Sequence, residues 1–86
     1  MALTIEKAQQ ILDDYYDLVH PQYEDDIQFI NALEFLIQET NNPEYMVELG
    51  GWYYGQKQFD LAEDYYLMAA KLNYVDAYEC LGYIYY

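Results

Sequence analysis

Apolar residues recur at intervals of three and four along most of the chain, and no segment alternates with period two, which predicts helices and no strands. Ala8, Ile11, Leu12, Tyr15, Tyr16 and Val19 form the first series. Thr4 is placed to cap its start and Glu6 lies near the positive end of the dipole, so a helix is expected over about residues 5–19. Pro21 disfavours helical geometry at His20. Glu24, Asp25 and Asp26 then cluster as a first helical turn favours, predicting a second helix over about 25–40. Its apolar positions, from Ile27 and Phe29 to Leu36 and Ile37, are too many for one narrow stripe and predict packing on more than one side. Asn41-Asn42-Pro43 reads as a turn with proline at the first helical position. The third helix follows over 44–54, with Met46, Leu49, Gly50 and Tyr53 on one face. After Gly55-Gln56-Lys57-Gln58 the period returns at Phe59, Ala62, Tyr65, Tyr66, Ala69 and Ala70, and runs to about Leu72. Asn73 tolerates the left-handed conformation that ends many helices, and Val75, Tyr78, Leu81, Gly82 and Tyr85 begin a fifth.

Within these helices one pattern occurs twice. Leu49, Gly50, Tyr53 and Tyr54 return as Leu81, Gly82, Tyr85 and Tyr86, 32 residues later. A recurrence of this length signals stacked helical units that contact mainly their neighbours. A glycine inside a helix costs about 1 kcal/mol relative to alanine, so Gly50 and Gly82, with Ala62, Ala69 and Ala70, imply close helix approach that accepts Tyr53, Tyr66 or Tyr85 from a partner helix. The short loop after Tyr54 makes the third and fourth helices an antiparallel hairpin.

The run from Ala62, Tyr65 and Tyr66 through Ala69, Ala70, Asn73, Ala77, Leu81 and Gly82 to Tyr85 resembles the junction between Sel1-like repeats, a branch of the tetratricopeptide superfamily, over 24 residues. Leu49, Gly50 and Tyr53, with Phe59, Ala62, Tyr66 and Ala69, also resemble a plain tetratricopeptide repeat, whose shorter loop they share. The chain departs from these patterns at Tyr45, where a small residue is usual, and at Lys57 and Asn73, where glycine is favoured. The resemblance implies an all-α superhelix, a solenoid of about two and a half antiparallel hairpins in one domain: a degenerate first hairpin over 1–42, a central repeat over 43–73, and the first helix of an unclosed repeat over 74–86. Two readings of that last helix stand side by side, a piece of a longer array and a natural unpaired closing helix. In both, Tyr83, Ile84 and Tyr86 leave apolar surface that favours homo-oligomers or helix exchange.

Composition narrows the partners. Sixteen carboxylates against three lysines and no arginine give a formal charge of −13, which repels phosphate backbones and anionic lipid, so neither nucleic acid nor membrane is expected as a partner. A basic protein or peptide is the natural complement. No run approaches the roughly 18 apolar residues of a membrane span, and residues 1–10 lack a basic start followed by an apolar core, so a cytoplasmic location is expected. Cys80, the only cysteine, sits among apolar positions and is expected to act as a small buried hydrophobe.

Serine is absent, His20 is the only histidine, and Thr4 and Thr40 lie at helix ends, which leaves no triad-type nucleophile. The acidic groups at Asp13, Asp14 and Asp17 and at Glu24, Asp25 and Asp26 lack a calcium-loop pattern and read as solvated faces. No enzyme activity, cofactor or metal is expected. By the resemblance, Glu44, Val47, Gly51 and Tyr54 of the third helix and Asp76, Glu79, Tyr83 and Tyr86 of the fifth line a concave groove. Acidic and aromatic together, they suit a peptide whose basic heads meet carboxylates while its stems lie on tyrosine rings. The expected function is a non-catalytic protein-interaction module. A small acidic inhibitor or immunity-type protein that occludes a basic site is the alternative.

Overall fold

The computed structural model describes residues 2–85, and these form five helices: α1 (Ile5–Tyr16), α2 (Tyr23–Thr40), α3 (Pro43–Gly55), α4 (Phe59–Lys71) and α5 (Val75–Tyr85). They group into two compact units, Met1–Asn41 and Asn42–Tyr86.

In the first unit α1 packs against α2. Thr4 caps α1 as expected, its hydroxyl oxygen accepting from the Lys7 amide at 3.1 Å. The helix stops three residues short of the expected end. Past Tyr16 the Asp17 and Leu18 amides donate to the Asp14 and Tyr15 carbonyls, the tighter bonding of a fraying last turn. Val19 continues the apolar period but is 84% exposed, so no packing rewards another turn. Helix α2 begins earlier than expected, at Tyr23. Gln22 is an uncommon N-cap, but its amide donates to Asp25 Oδ2 at 2.9 Å, so the carboxylate three residues on holds the start. The buried residues of α2, Phe29, Ala32, Leu33, Leu36 and Ile37, trace one stripe. Ile30 and Phe35 flank it half-buried while Ile27 is exposed, a narrower burial than the apolar count suggests. Asn41 ends the helix in the left-handed region at φ 53°.

In the second unit α4 packs on both α3 and α5, and α5 also touches α3. Asn42 caps α3 through its side-chain oxygen, which accepts from the Glu44 amide at 3.0 Å, and Pro43 takes the first helical position. The α3–α4 and α4–α5 turns close alike. Lys57 at φ 64° and Asn73 at φ 62° are left-handed, and the next amides, of Gln58 and Tyr74, reach back five residues to the Tyr53 and Ala69 carbonyls. The core holds Met46 and Leu49 from α3, Ala62, Tyr66, Ala69 and Ala70 from α4, and Ala77 and Leu81 from α5. Burying side chains as large as Met46 and Leu49, both at 1% exposure or less, contributes about 1.5–3 kcal/mol each.

Candidate functional site

Tyr66 is the joint of the second unit. A Cβ placed on Gly50 would lie 2.6 and 2.8 Å from Cε1 and Cδ1 of its ring and 3.3 Å from the Ala62 carbonyl oxygen. Gly50 is therefore the slot that admits the ring, as its mid-helix position predicts. At the far end of the ring the hydroxyl donates to the Cys80 sulfur. Burial first, then Cys80, pushes the Tyr66 phenol up to about 12. One side chain thus touches α3, belongs to α4 and bonds α5.

Cys80 corrects the expectation of a buried hydrophobe. It is half-buried, and its thiol is pushed up by desolvation and by the carboxylates of Asp76 and Glu79, against the lowering effect of the Tyr66 hydroxyl. The thiolate is disfavoured, so Cys80 is a poor nucleophile. Tyr53, an expected core ring, is half-buried and stacks on Tyr65 with centroids 5.8 Å apart.

The expected groove residues fall into two rows. On α3, Glu44, Gly51 and Tyr54 are exposed and Val47 is half-buried; on α5, Asp76, Glu79 and Tyr83 are exposed, Tyr83 at 70%. Tyr86 and the side chain of Tyr85 lie outside the described residues. Spacings of three and four keep each row on one helix face. The rows share one neighbour. Tyr74, at the entry to α5, is half-buried, and its phenol is raised by desolvation and then by the carboxylates of Asp76 and Glu44, which brings an acid from each row to one ring. The Tyr66 hydroxyl lies 3.7 Å from a Cβ placed on Gly51, and Tyr54 lies close enough to raise the same phenol. Tyr54 also leans edge-on against Phe59, centroids 5.3 Å apart, a contact that only the folded hairpin creates.

In the first unit a shallow cleft of about 250 Å³ opens between α1 and α2, lined by Ile11, Asp14, Tyr15, Leu18, Asp25 and Gln28. The sequence pattern presents its acids as solvated surface and gives no sign of the cleft. Tyr15 forms its wall, stacked on Phe29 with centroids 4.1 Å apart and donating from its hydroxyl to Asp26 Oδ1 at 2.7 Å. Among the described residues no three metal-capable side chains converge, and no helix is long and apolar enough to cross a membrane.

Comparison with protein-family models, curated proteins and solved structures returns no match in any of the three.

Proposed function

We propose that this chain is a non-catalytic protein-interaction module of the tetratricopeptide and Sel1-like kind, its hairpins stacked as a short superhelix, that takes a basic protein or peptide on the surface shared by α3 and α5. The observation that carries this reading is the pair of exposed rows, Glu44, Gly51 and Tyr54 on α3 and Asp76, Glu79 and Tyr83 on α5, with one acid of each row, Glu44 and Asp76, acting on the Tyr74 ring. Carboxylates there receive lysine or arginine heads, and tyrosine faces take their apolar stems. Val47 lies in the α3 row and Tyr86 extends the α5 row in sequence. Titration of basic peptides against wild type and the variants Tyr54→Ala, Tyr83→Ala and Glu79→Gln tests it. Losses of about tenfold or more at the two tyrosines are expected of anchoring residues, and unchanged affinity in all three would sink the surface.

The charge distribution favours a second reading, a small acidic inhibitor that occludes a basic site. The first unit holds nine of the 16 carboxylates and only Lys7 of the three lysines. Salt separates the two readings. A charge mimic loses most of its affinity between low and moderate ionic strength, whereas contacts to tyrosine rings persist. Val75, Tyr78 and Tyr83, all more than half exposed on α5, are where self-association or helix exchange would begin, and sedimentation at rising concentration would detect it.

A further inference from the structure

We propose that the α1–α2 cleft of the first unit is a seat for one basic side chain, a lysine or arginine presented by a protein partner. The proposal rests on the reading of a basic partner given above but places the contact on a different helix pair. Its volume of about 250 Å³ falls below the roughly 300–1,000 Å³ of small-molecule pockets, a scale that suits a single side chain. Ile11, Leu18 and the Tyr15 ring offer apolar surface to a basic residue's methylene stem, while Asp14 and Asp25 supply charge for its head.

The C-terminal end of α1 adds to the field. Asp13 and Asp14 stand in the last turn of α1 with Asp17 as its cap, at the negative end of the macrodipole, and no basic residue occupies that turn. The unit's one lysine, Lys7, lies at the opposite end of the helix. The α1 terminus thus favours a cation, while Asp25 stands in the first turn of α2 and its carboxylate offsets that helix's positive end.

The walls are also set in advance. Asp14 accepts from Gln10 Nε2 at 2.9 Å, Asp25 holds the Gln22 amide, and Tyr15 is fixed by Phe29 and Asp26. A ligand entering such a site orders little protein, which lowers the entropic cost of a weak contact.

The test titrates the full chain with N-acetyl-arginine amide, N-acetyl-lysine amide and N-acetyl-norleucine amide, following amide chemical shifts at moderate salt. Saturable shifts confined to the neighbourhood of Ile11, Tyr15, Leu18 and Gln28, in roughly the millimolar range, are expected for one or both basic probes and not for the uncharged norleucine. Asp14→Asn should weaken binding about fivefold and Gln28→Trp, which fills the cleft without changing charge, should remove it. Asp64→Asn, an equal charge change at an exposed position of α4, should alter it less than twofold. Non-saturating shifts spread over the acids of both units, or equal effects of Asp14→Asn and Asp64→Asn, would overturn the seat. The α3–α5 surface is tested by variants of Tyr54, Tyr83 and Glu79, all in the other unit, so either reading can fail without the other.

Discussion

The two Leu-Gly copies share a sequence and differ in what meets them. Around Leu49-Gly50 the α4 helix comes close enough that Tyr66 occupies the space a side chain at Gly50 would need, and Leu49 is fully buried. Around Leu81-Gly82 the leucine is buried, but a Cβ placed on Gly82 would meet none of the described residues within 4 Å. The same dipeptide is a filled slot in one place and an open one in the other. The dipeptide therefore permits close packing, and whether a neighbouring ring approaches it decides whether that capacity is used. In the first copy that helix brings Ala62, Tyr66 and Ala69 at offsets of four and three, so the small residues make room and the tyrosine fills it.

The sharpest way to break the contrast is to remove what fills the first slot. Tyr66→Ala should destabilise the second unit by about 3–5 kcal/mol, because it empties a buried ring volume and unties α5 from α3. Tyr83→Ala, on the strongly exposed ring beside Gly82, should stay within about 0.5 kcal/mol. Trp52, the only tryptophan, lies on α3 against Tyr53 with centroids 5.4 Å apart, so its fluorescence during urea unfolding follows this unit in particular. Equal losses at Tyr66 and Tyr83 would mean that the two copies are packed alike.

Alkali attacks the same joint without a large deletion. The Tyr66 phenol moves from its ordinary 10.0 to about 12 in the folded chain, so the folded state binds this proton more tightly than the unfolded one. Its contribution is whole below pH 10 and disappears as pH rises from 10 through 12, a loss of at most about 2–3 kcal/mol. Tyr66→Phe lacks the titrating group. Below pH 10 it should be less stable than wild type by about 0.5–1.5 kcal/mol, the O–H to sulfur bond, and between pH 10 and 12 that margin should close and reverse. A margin that stays constant through pH 12 would contradict the buried, Cys80-bonded phenol.

Alanine at the two glycines turns the contrast into a difference of sign. At Gly82 the new methyl meets open space on a helix, so Gly82→Ala should stabilise by about 0.5–1 kcal/mol through the unfolded chain's lost freedom. At Gly50 the same methyl collides with ring carbons whose far end is held by Cys80, and the Ala62 carbonyl blocks the alternative. Gly50→Ala should therefore destabilise by about 1–3 kcal/mol, the clash outweighing the propensity gain. Chemical denaturation monitored at Trp52 measures both, and the same sign at both glycines would remove the contrast.

Much of this is legible in the order of residues alone. Helix number, the Thr4 and Pro43 starts and the left-handed Asn73 follow from side-chain chemistry acting within one turn, and Gly50 stands out as a glycine with no conformational reason to be there. Gly82 looks identical in sequence, because what distinguishes it is that no described side chain approaches it, a fact of tertiary structure. The end of α1 falls short of its apolar period for a related reason: Val19 keeps the period, yet periodicity registers only which residues are apolar and not whether anything packs on them. Cys80 lies shallower than its apolar neighbours suggest because its acceptor role toward Tyr66 depends on a residue fourteen positions away. Of the candidate surface, the two rows follow from the resemblance to tetratricopeptide-like repeats, position by position. The approach of Glu44 and Asp76 to Tyr74 does not, nor does the α1–α2 cleft, whose walls combine residues from two helices separated by a loop with no periodic signal.

The smallest expected effect concerns the turns that follow the two halves of the hairpin. Both close by the same five-residue back-bond, one with Lys57 and the other with Asn73 in the left-handed region. Asparagine tolerates that region and lysine gains nothing to offset its Cβ crowding, so the turn that seats Tyr66 on Gly50 carries strain that the later turn avoids. Lys57→Gly should stabilise by about 0.5–1 kcal/mol, and Asn73→Gly by no more than a few tenths. The lysine is exposed, so the gain should persist in high salt, where any charge effect on this acidic chain is screened. If Lys57→Gly instead destabilises, and the loss shrinks as salt rises, the lysine's positive charge, set among an excess of carboxylates, matters more than its backbone strain, and the two turns would differ by electrostatics and not by geometry.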